Sequence, residues 1–170
     1  MPIRTAEELF FDGLSDVYAR EQRMAQMWEN LSQKVQDPEV KDLLSVRAHF
    51  ERQAASNIEK CFQILGRQPS APNVAAYQAI GDHIRDKMDE IESPALKAVY
   101  ALAALRRMHN WGIGEYAVLT AMAARSGNWA VAALLEHNLA DQVDFIERRR
   151  ERIRERIEEG MATRAAGRAA

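Results

Sequence analysis

Hydrophobic residues recur at helical spacing through most of the chain and predict four long helices and one short one. The first series steps by three and four residues from Phe10 to Val35. This spacing places its members on one face of a helix. Every member is apolar except Glu21, which lies near the middle of the series. An ionised carboxylate on a buried face needs a cation, a metal, a proton or a route to water.

Capping residues and prolines mark the ends of the predicted helices. Thr5 to Glu8 form a capping box, and Asp37-Pro38 and Ser93-Pro94 each combine an N-cap with a proline at the first helical position. Gly66 supplies a left-handed stop. The predicted helices cover about 5–36, 37–65, 74–91, 93–125 and 129–160. Residues 67–73 are expected to form a loop, and residues 161–170 a frayed tail.

The short breaks between helices predict an all-α fold with two long antiparallel hairpins. The connection between the hairpins contains the short helix, so a four-helix bundle with one long crossover is expected over residues 1–160. The fourth helix carries a second face of small and apolar residues: Val99, Ala103, Ile113, Ala117 and Ala121. This face suggests contact with the third helix or with another subunit.

Composition fits one folded domain. The apolar share is 47%, the charged share 28% and the formal net charge −2, which argues against disorder and against bulk attraction to nucleic acid. Cys61 is the single cysteine, so no intrachain disulfide is possible. No apolar run reaches membrane-spanning length and no signal peptide is recognisable, so the cytoplasm is the expected compartment.

Two classes of function receive little support from motifs. Residues 147–159 are rich in arginine, but glutamates alternate with the arginines, which is typical of a solvated helix rather than a nucleic-acid-binding arm. The chain has no phosphate-binding loop, nucleophile elbow or Cys-x-x-Cys pattern. A structural or interaction role is therefore favoured over an enzymatic one, and no catalytic residue is assigned.

Polar residues interrupt each of the four long hydrophobic series near mid-helix. If the helices pack in register, these residues share one central layer: Glu21, Arg47, Glu51, His109 beside Gly112, and Gln142. Carboxylate-bridged di-metal sites are built at the centre of four-helix bundles in this way. The second and fourth helices lack Glu-x-x-His, and the layer has too few carboxylates for two metal ions.

Three arrangements of this layer are open from the residues alone. In the first, one iron, zinc or manganese ion is held by Glu21, Glu51 and His109, with Gln142 or Asp141 nearby. In the second, the guanidinium of Arg47 pairs with one or both carboxylates and no metal is needed. In the third, the helices are out of register and the polar groups reach solvent separately.

Three segments of the chain carry sequence patterns of one known family. Thr5 to Phe10 looks like the family's opening Thr-Leu-x-x-Leu-Phe. Residues 16–22 are similar to its Asp-Ile-Tyr-x-Ala-Glu-x-Gln segment, with the glutamate on Glu21. Ile58 to Gly66 looks like Leu-Glu-x-Val-Phe-x-x-Leu-Gly at the close of its second helix. On these segments the chain resembles the YciF-like bacterial stress proteins, a ferritin-like family, and the resemblance covers about residues 5 to 147.

The resemblance implies a ferritin-like bundle, usually a homodimer, with a carboxylate-rich metal site and a link to stress. It places the family's His-Leu-Glu-Glu-Thr on residues 47–51 and its Val-Glu-His-Tyr-Glu-Ile on residues 108–113. The two glutamates of its Asn-Leu-x-Glu-Glu-Lys fall on Asp141 and Gln142. Of the ligand positions that the resemblance implies, Glu21 alone is unchanged.

These replacements lead to the expected function. The protein is expected to be a stress-associated structural or interaction protein with a degenerate metal centre, in which Arg47 pairs with Glu21 or Glu51 in place of a di-metal site. A cytoplasmic homodimer without cofactor, nucleic acid or membrane partner is expected. The alternative is a protein that binds a single Fe, Zn or Mn ion, or a redox protein, using Glu21, Glu51 and His109.

Overall fold

The computed structural model describes residues 2–70 and 75–166. Five α-helices and no strands occur within these ranges. The helices are α1 Ala6–Lys34, α2 Pro38–Ile64, α3 Ala75–Glu90, α4 Pro94–Arg125 and α5 Trp129–Ala166. The all-α prediction is confirmed, and helix ends agree with the expected ones within about two residues except at α5. Part of the expected loop and Val74, the expected start of α3, lie outside the described residues.

The predicted capping residues begin and end the helices. Thr5 accepts a hydrogen bond from the Glu8 backbone at 3.0 Å, and the Glu8 carboxylate accepts one from the Thr5 backbone at 2.9 Å. Asp37 accepts from the backbone N–H groups of Glu39 and Val40, both at 3.0 Å. Gly66 follows α2 with φ of 63°, in the left-handed region that favours glycine.

The bundle consists of two hairpins, α1 with α2 and α4 with α5, packed against each other. The α2 helix lies against α5, and α1 lies against α4. The α3 helix lies in the crossover and packs on α1 and α4. None of the helices in the described part of the chain is long and apolar enough to cross a membrane.

The hydrophobic core is divided into two clusters by the central layer. One cluster contains Trp28 and Leu44 from the first hairpin and Leu105 from the second. The other contains Leu14 from the first hairpin and Leu135 from the second. On each long helix one layer residue lies between the positions that contribute to the two clusters: Glu21, Glu51, His109 and Gln142. Arg47 lies one turn before Glu51. The hydrophobic series thus hold the four helices in register, which places their polar exceptions at one level.

The second face of α4 is not covered by α3. Ala103, Ala117 and Ala121 are exposed, whereas Val99 and Ile113 are half-buried. Contact of this face with α3, the first of the two predicted alternatives, is therefore wrong. Contact with another subunit stays a prediction.

The α5 helix continues to Ala166, and the expected fraying of residues 161–170 stays a prediction. The part of α5 from Arg152 to Gly160 is held against the rest of the bundle. Gly160 packs so closely on α4 that an added Cβ would lie 2.6 Å from Cγ2 of Val99. Arg152 donates to Glu39 at 2.8 Å, and Arg156 pairs with the same carboxylate. These contacts bind the arginine-rich extension to α2 and α4.

Candidate functional site

The structure brings the sequence-predicted polar residues together. Glu21, Arg47, Glu51, His109 and Gln142 are all buried, with at most 3% of each residue exposed. They lie at one level between the two core clusters. The third alternative, in which these groups reach solvent separately, is therefore wrong.

Arg47 joins α2 to α5 through charge-assisted hydrogen bonds. Its Nε donates to Oε1 of Glu51 at 2.8 Å, and its Nη2 donates to Oε1 of Gln142 at 2.7 Å. Glu51 also accepts a hydrogen bond from Nε1 of Trp28 at 3.2 Å, which connects α2 to α1. The guanidinium lies over the ring of Phe145, 5.3 Å from its centroid. Arg47 thus pairs with Glu51, as the second arrangement predicts.

Arg20 provides a second guanidinium, which sequence reasoning missed. It is 2% exposed and pairs with both Glu21 and Glu115. Glu21 also accepts a hydrogen bond from the Tyr116 hydroxyl at 2.8 Å, and Glu115 accepts one from the Tyr77 hydroxyl at 3.0 Å. The cation paired with Glu21 is therefore Arg20, its neighbour in sequence, which joins α1 to α4.

Gly112 makes room for this second guanidinium. A Cβ at this position would lie 3.3 Å and 3.4 Å from the two terminal nitrogens of Arg20 and 3.4 Å from Oε1 of Gln142. A glycine within a helix lowers its stability relative to alanine, so it needs a packing reason. The glycine among the buried positions of α4 was thus the one sequence signal for a bulky group in the layer.

Charge balance requires a proton in the layer. Two guanidiniums, Arg20 and Arg47, face three carboxyl groups: Glu21, Glu51 and Glu115. One carboxyl group must be neutral for the network to be neutral, and burial favours that state. The Oε2 atoms of Glu21 and Glu51 are buried without a hydrogen-bond partner in the described part of the chain. A proton held on Glu51 neutralises the network.

The pKa values of the two glutamates are shifted in opposite directions. Burial and the negative charge of Glu21 raise the pKa of Glu51 to about 8, against the opposing effect of Arg47. Burial alone would raise the pKa of Glu21, but Arg20, a hydrogen bond with Glu51 and Arg47 together lower it to about 2. The layer therefore holds one protonated and one ionised glutamate near neutral pH.

His109 is a neutral imidazole in this layer. Burial and the positive charge of Arg47 lower its pKa to about 3. Its ring lies 6.1 Å from that of Phe145, measured between centroids. Both ring nitrogens are buried and have no hydrogen-bond partner among residues 2–70 and 75–166. The imidazole is thus placed by packing.

A second set of hydrogen bonds extends from the layer toward the core cluster that contains Leu14 and Leu135. Asn57 donates to Oδ1 of Asn138 at 2.8 Å, and the Asn138 amide donates to the Ala54 carbonyl at 3.2 Å and to the Tyr116 hydroxyl at 3.3 Å. These contacts join α2, α5 and α4. Because Tyr116 also donates to Glu21, the two asparagines belong to the same network.

The residues do not fit the di-metal centre that the family resemblance implies. In the described ranges, no group of three His, Cys, Asp or Glu side chains could hold a metal ion. Asp141 lies beside His137, 3.5 Å away, and is not one of the buried layer residues. Arg20 and Arg47 place two fixed positive charges in the layer, where they would repel metal cations strongly.

Comparison with known proteins agrees with this class of fold, an all-α ferritin-like bundle. A family model described as "Domain of unknown function (DUF892)" matches residues 5–164, and the chain belongs to this family. Among curated proteins, none matches the chain.

Several solved structures resemble the chain, including the following three. YcfI, a putative structural protein from Rhodopseudomonas palustris, is 20% identical with a TM-score of 0.81, over 86% of this chain and 93% of that one. The E. coli stress protein YciF is 15% identical with a TM-score of 0.85, over 92% and 99%. A protein from Xanthomonas campestris pv. campestris is 18% identical with a TM-score of 0.65, over 95% of each chain. The predicted YciF-like relationship and the fold class are confirmed.

The raised pKa of Glu51 predicts a loss of stability with rising pH. Between its unfolded value of 4.5 and its folded value of about 8, the native state binds more protons than the unfolded state. The free energy of unfolding should therefore fall, by up to about 1.4 kcal/mol per pH unit. Urea denaturation between pH 6.5 and pH 8 measures this slope, because His109, with its lowered pKa, contributes its own slope below 6.5.

Glu51→Gln should flatten that slope, since an amide does not titrate in this range. The control is Glu136→Gln, which changes an exposed glutamate on α5 and should keep the slope of the unchanged protein. If the unchanged protein and Glu51→Gln gave the same slope, Glu51 would not hold the proton of the layer.

Proposed function

We propose that this protein is a stress-associated structural or interaction protein whose central metal site is degenerate. Ion pairs of Arg20 and Arg47 with glutamates take the place of a di-metal centre. The observation that carries the proposal is the presence of two buried guanidiniums in the layer. The link to stress rests on the family resemblance and on the name of the similar E. coli stress protein.

The ion pairs supply the cross-links that a metal centre gives to a helical bundle. Arg20 joins α1 to α4 through Glu115, and Arg47 joins α2 to α5 through Gln142. Trp28 joins α1 to α2 through Glu51. All four long helices are thus connected at one level by side chains of the protein itself. Arginine suits this role because its planar fork stays charged and matches carboxylate geometry.

Burial of the layer favours a structural role over an enzymatic one. The side chain of Glu115 is 23% exposed, while that of Glu21 is fully buried and those of Arg20 and Arg47 are 3% exposed. A substrate of any size would have to displace packed helices to reach Glu21 or Glu51. We therefore assign no catalytic residue and propose a cytoplasmic protein without a resident cofactor.

The alternative function is that of a single-metal binding or redox protein, in which Glu21, Glu51, His109 and Gln142 hold one Fe, Zn or Mn ion. One observation favours it: Oε2 of both glutamates and both nitrogens of His109 lack hydrogen-bond partners in the part of the chain that the structure describes. Oxygen and imidazole ligands suit these ions. The ion would have to displace Arg47 from Glu51 and Gln142.

Removal of metal distinguishes the two functions. Protein purified without chelator should contain far less than one Fe, Zn or Mn ion per chain. Its melting temperature should not change with EDTA, because an ion that binds only the native state would stabilise it. Elemental analysis and thermal unfolding are the measurements. Stoichiometric metal that is lost in His109→Leu, together with a lower melting temperature after chelation, would establish the alternative.

We also propose that the protein is a homodimer, as the family resemblance implies. The outer face of α4 presents Ala103, Ala117 and Ala121, which are exposed in the single chain. These small side chains allow close approach of a second helix. No chain partner other than a second copy is assigned.

A further inference from the structure

A surface groove beside the central layer is lined by apolar, aromatic and acidic residues. It lies between α1 and α4, next to the first turn of α3, and has a volume of about 510 Å³. This volume is within the usual range for small-molecule sites. Its walls include Val17 and Leu119, which are buried, and Val118, which is 59% exposed.

The groove is also lined by two aromatic rings and two carboxylates. The rings of Tyr77 and Trp111 lie 5.1 Å apart between centroids, at an interplanar angle of 37°. Asp16 and Glu115 are the ionisable acids in the lining, and no lysine, arginine or histidine of the described chain lines it. Glu115 is the partly exposed end of the Arg20–Glu21 network. The guanidinium of Arg20 offsets one of the two negative charges of Glu21 and Glu115, so the lining still favours positive charge.

Two glycines line the groove, one beside open space and one packed closely on Leu119. A Cβ at Gly114 would meet no atom within 4 Å, so a larger side chain there would extend into open space. A Cβ at Gly13, on the facing helix, would lie 3.2 Å from Cδ2 of Leu119. Both glycines lie within helices, where alanine would be more stable.

We propose that this groove binds an organic ammonium ion that carries an apolar group. The ammonium group lies by Glu115 and Trp111, where it gains both carboxylate and cation–π attraction. The apolar group lies against Val17 and Leu119. A carboxylate ligand is disfavoured because Asp16 and Glu115 repel it.

We assign no ligand to the larger groove between α1 and α3, which has a volume of about 590 Å³. Arg23, Lys34 and Arg85 line it together with Asp82. Lysine and arginine on the same walls as an aspartate do not select one ligand charge. The α1–α4 groove is the one whose charge and aromatic content point to a single ligand class.

The test uses benzyltrimethylammonium as the probe, with two uncharged or anionic analogues for comparison. Titration calorimetry should show saturable binding of the cation, at least about tenfold tighter than binding of benzyl alcohol or phenylacetate. Tryptophan fluorescence in Trp129→Phe protein provides a second readout, because Trp111 lines the groove whereas Trp129 is 70% exposed elsewhere. Equal binding of all three compounds, or none of the cation, would overturn the proposal.

The variant Gly114→Leu tests whether the cation binds in this groove. The added side chain should abolish binding of the cation while the melting temperature is unchanged or raised, since leucine favours a helix. Ala140→Leu is the control, because Ala140 is exposed within α5 and lies outside both the groove and the proposed dimer face, and this variant should bind as the unchanged protein does. Undiminished binding by Gly114→Leu would contradict the proposal. A changed sedimentation mass without loss of cation binding would instead assign the groove to a second copy of the chain.

Discussion

Arg20→Met should lower the free energy of unfolding by about 3–5 kcal/mol at pH 7, because removal of one partner leaves buried carboxylates without a cation. Two carboxylates lose their guanidinium: Glu21, which is 0% exposed, and Glu115. Methionine fills similar space, so little of the loss should come from a cavity. Urea denaturation followed by circular dichroism measures the change.

The matched control is Arg23→Met, one turn further along α1. Arg23 is exposed and has no ion pair or hydrogen bond with the described residues. Its replacement should change stability by less than about 0.5 kcal/mol, as for most surface substitutions. A loss for Arg20→Met that is no larger than the loss for Arg23→Met would show that Glu21 does not depend on this cation.

The fold could be predicted from local signals. Apolar residues at helical spacing and the caps at Thr5, Asp37 and Ser93 determine the helices, and each of these caps bonds to the following backbone in the structure. The packing of the arginine-rich part of α5 could not be predicted in this way. Arg152 and Gly160 contact distant residues, Glu39 and Val99, which no local pattern shows.

The membership of the central layer was only partly predictable. Helical spacing identifies the residues whose Cβ faces the core, and Glu21, Arg47 and Gln142 meet that condition. Arg20 lies one position, or about 100°, away from the face that contains Glu21. It enters the layer because an arginine side chain is long and Gly112 leaves space beside it. Spacing along one helix carries no information about such a reach between helices.

At pH 9, Glu51 is largely ionised because its pKa is about 8. Under these conditions Arg47→Met should destabilise the protein by about 3–5 kcal/mol, but the double variant Arg47→Met/Glu51→Gln should recover much of the loss. A neutral amide at position 51 does not require a cation, and its oxygen can still accept the hydrogen bond that Trp28 donates to Glu51. Urea denaturation of the four proteins of this double-mutant cycle gives the coupling energy. We expect it to be about 1–3 kcal/mol, as for residues in one hydrogen-bonded network.

The exposed pair Arg52 and Glu29 is the control cycle, because it has the same chemical groups with side chains 49% and 47% exposed. Its coupling should stay below about 1 kcal/mol, since water screens the charges and the pair costs side-chain entropy. The two cycles therefore compare the same chemical groups in a buried pair and in a pair exposed to water. If both pairs showed the same small coupling, Arg47 would not hold Glu51 in the layer, and displacement of Arg47 by a metal ion would meet little resistance.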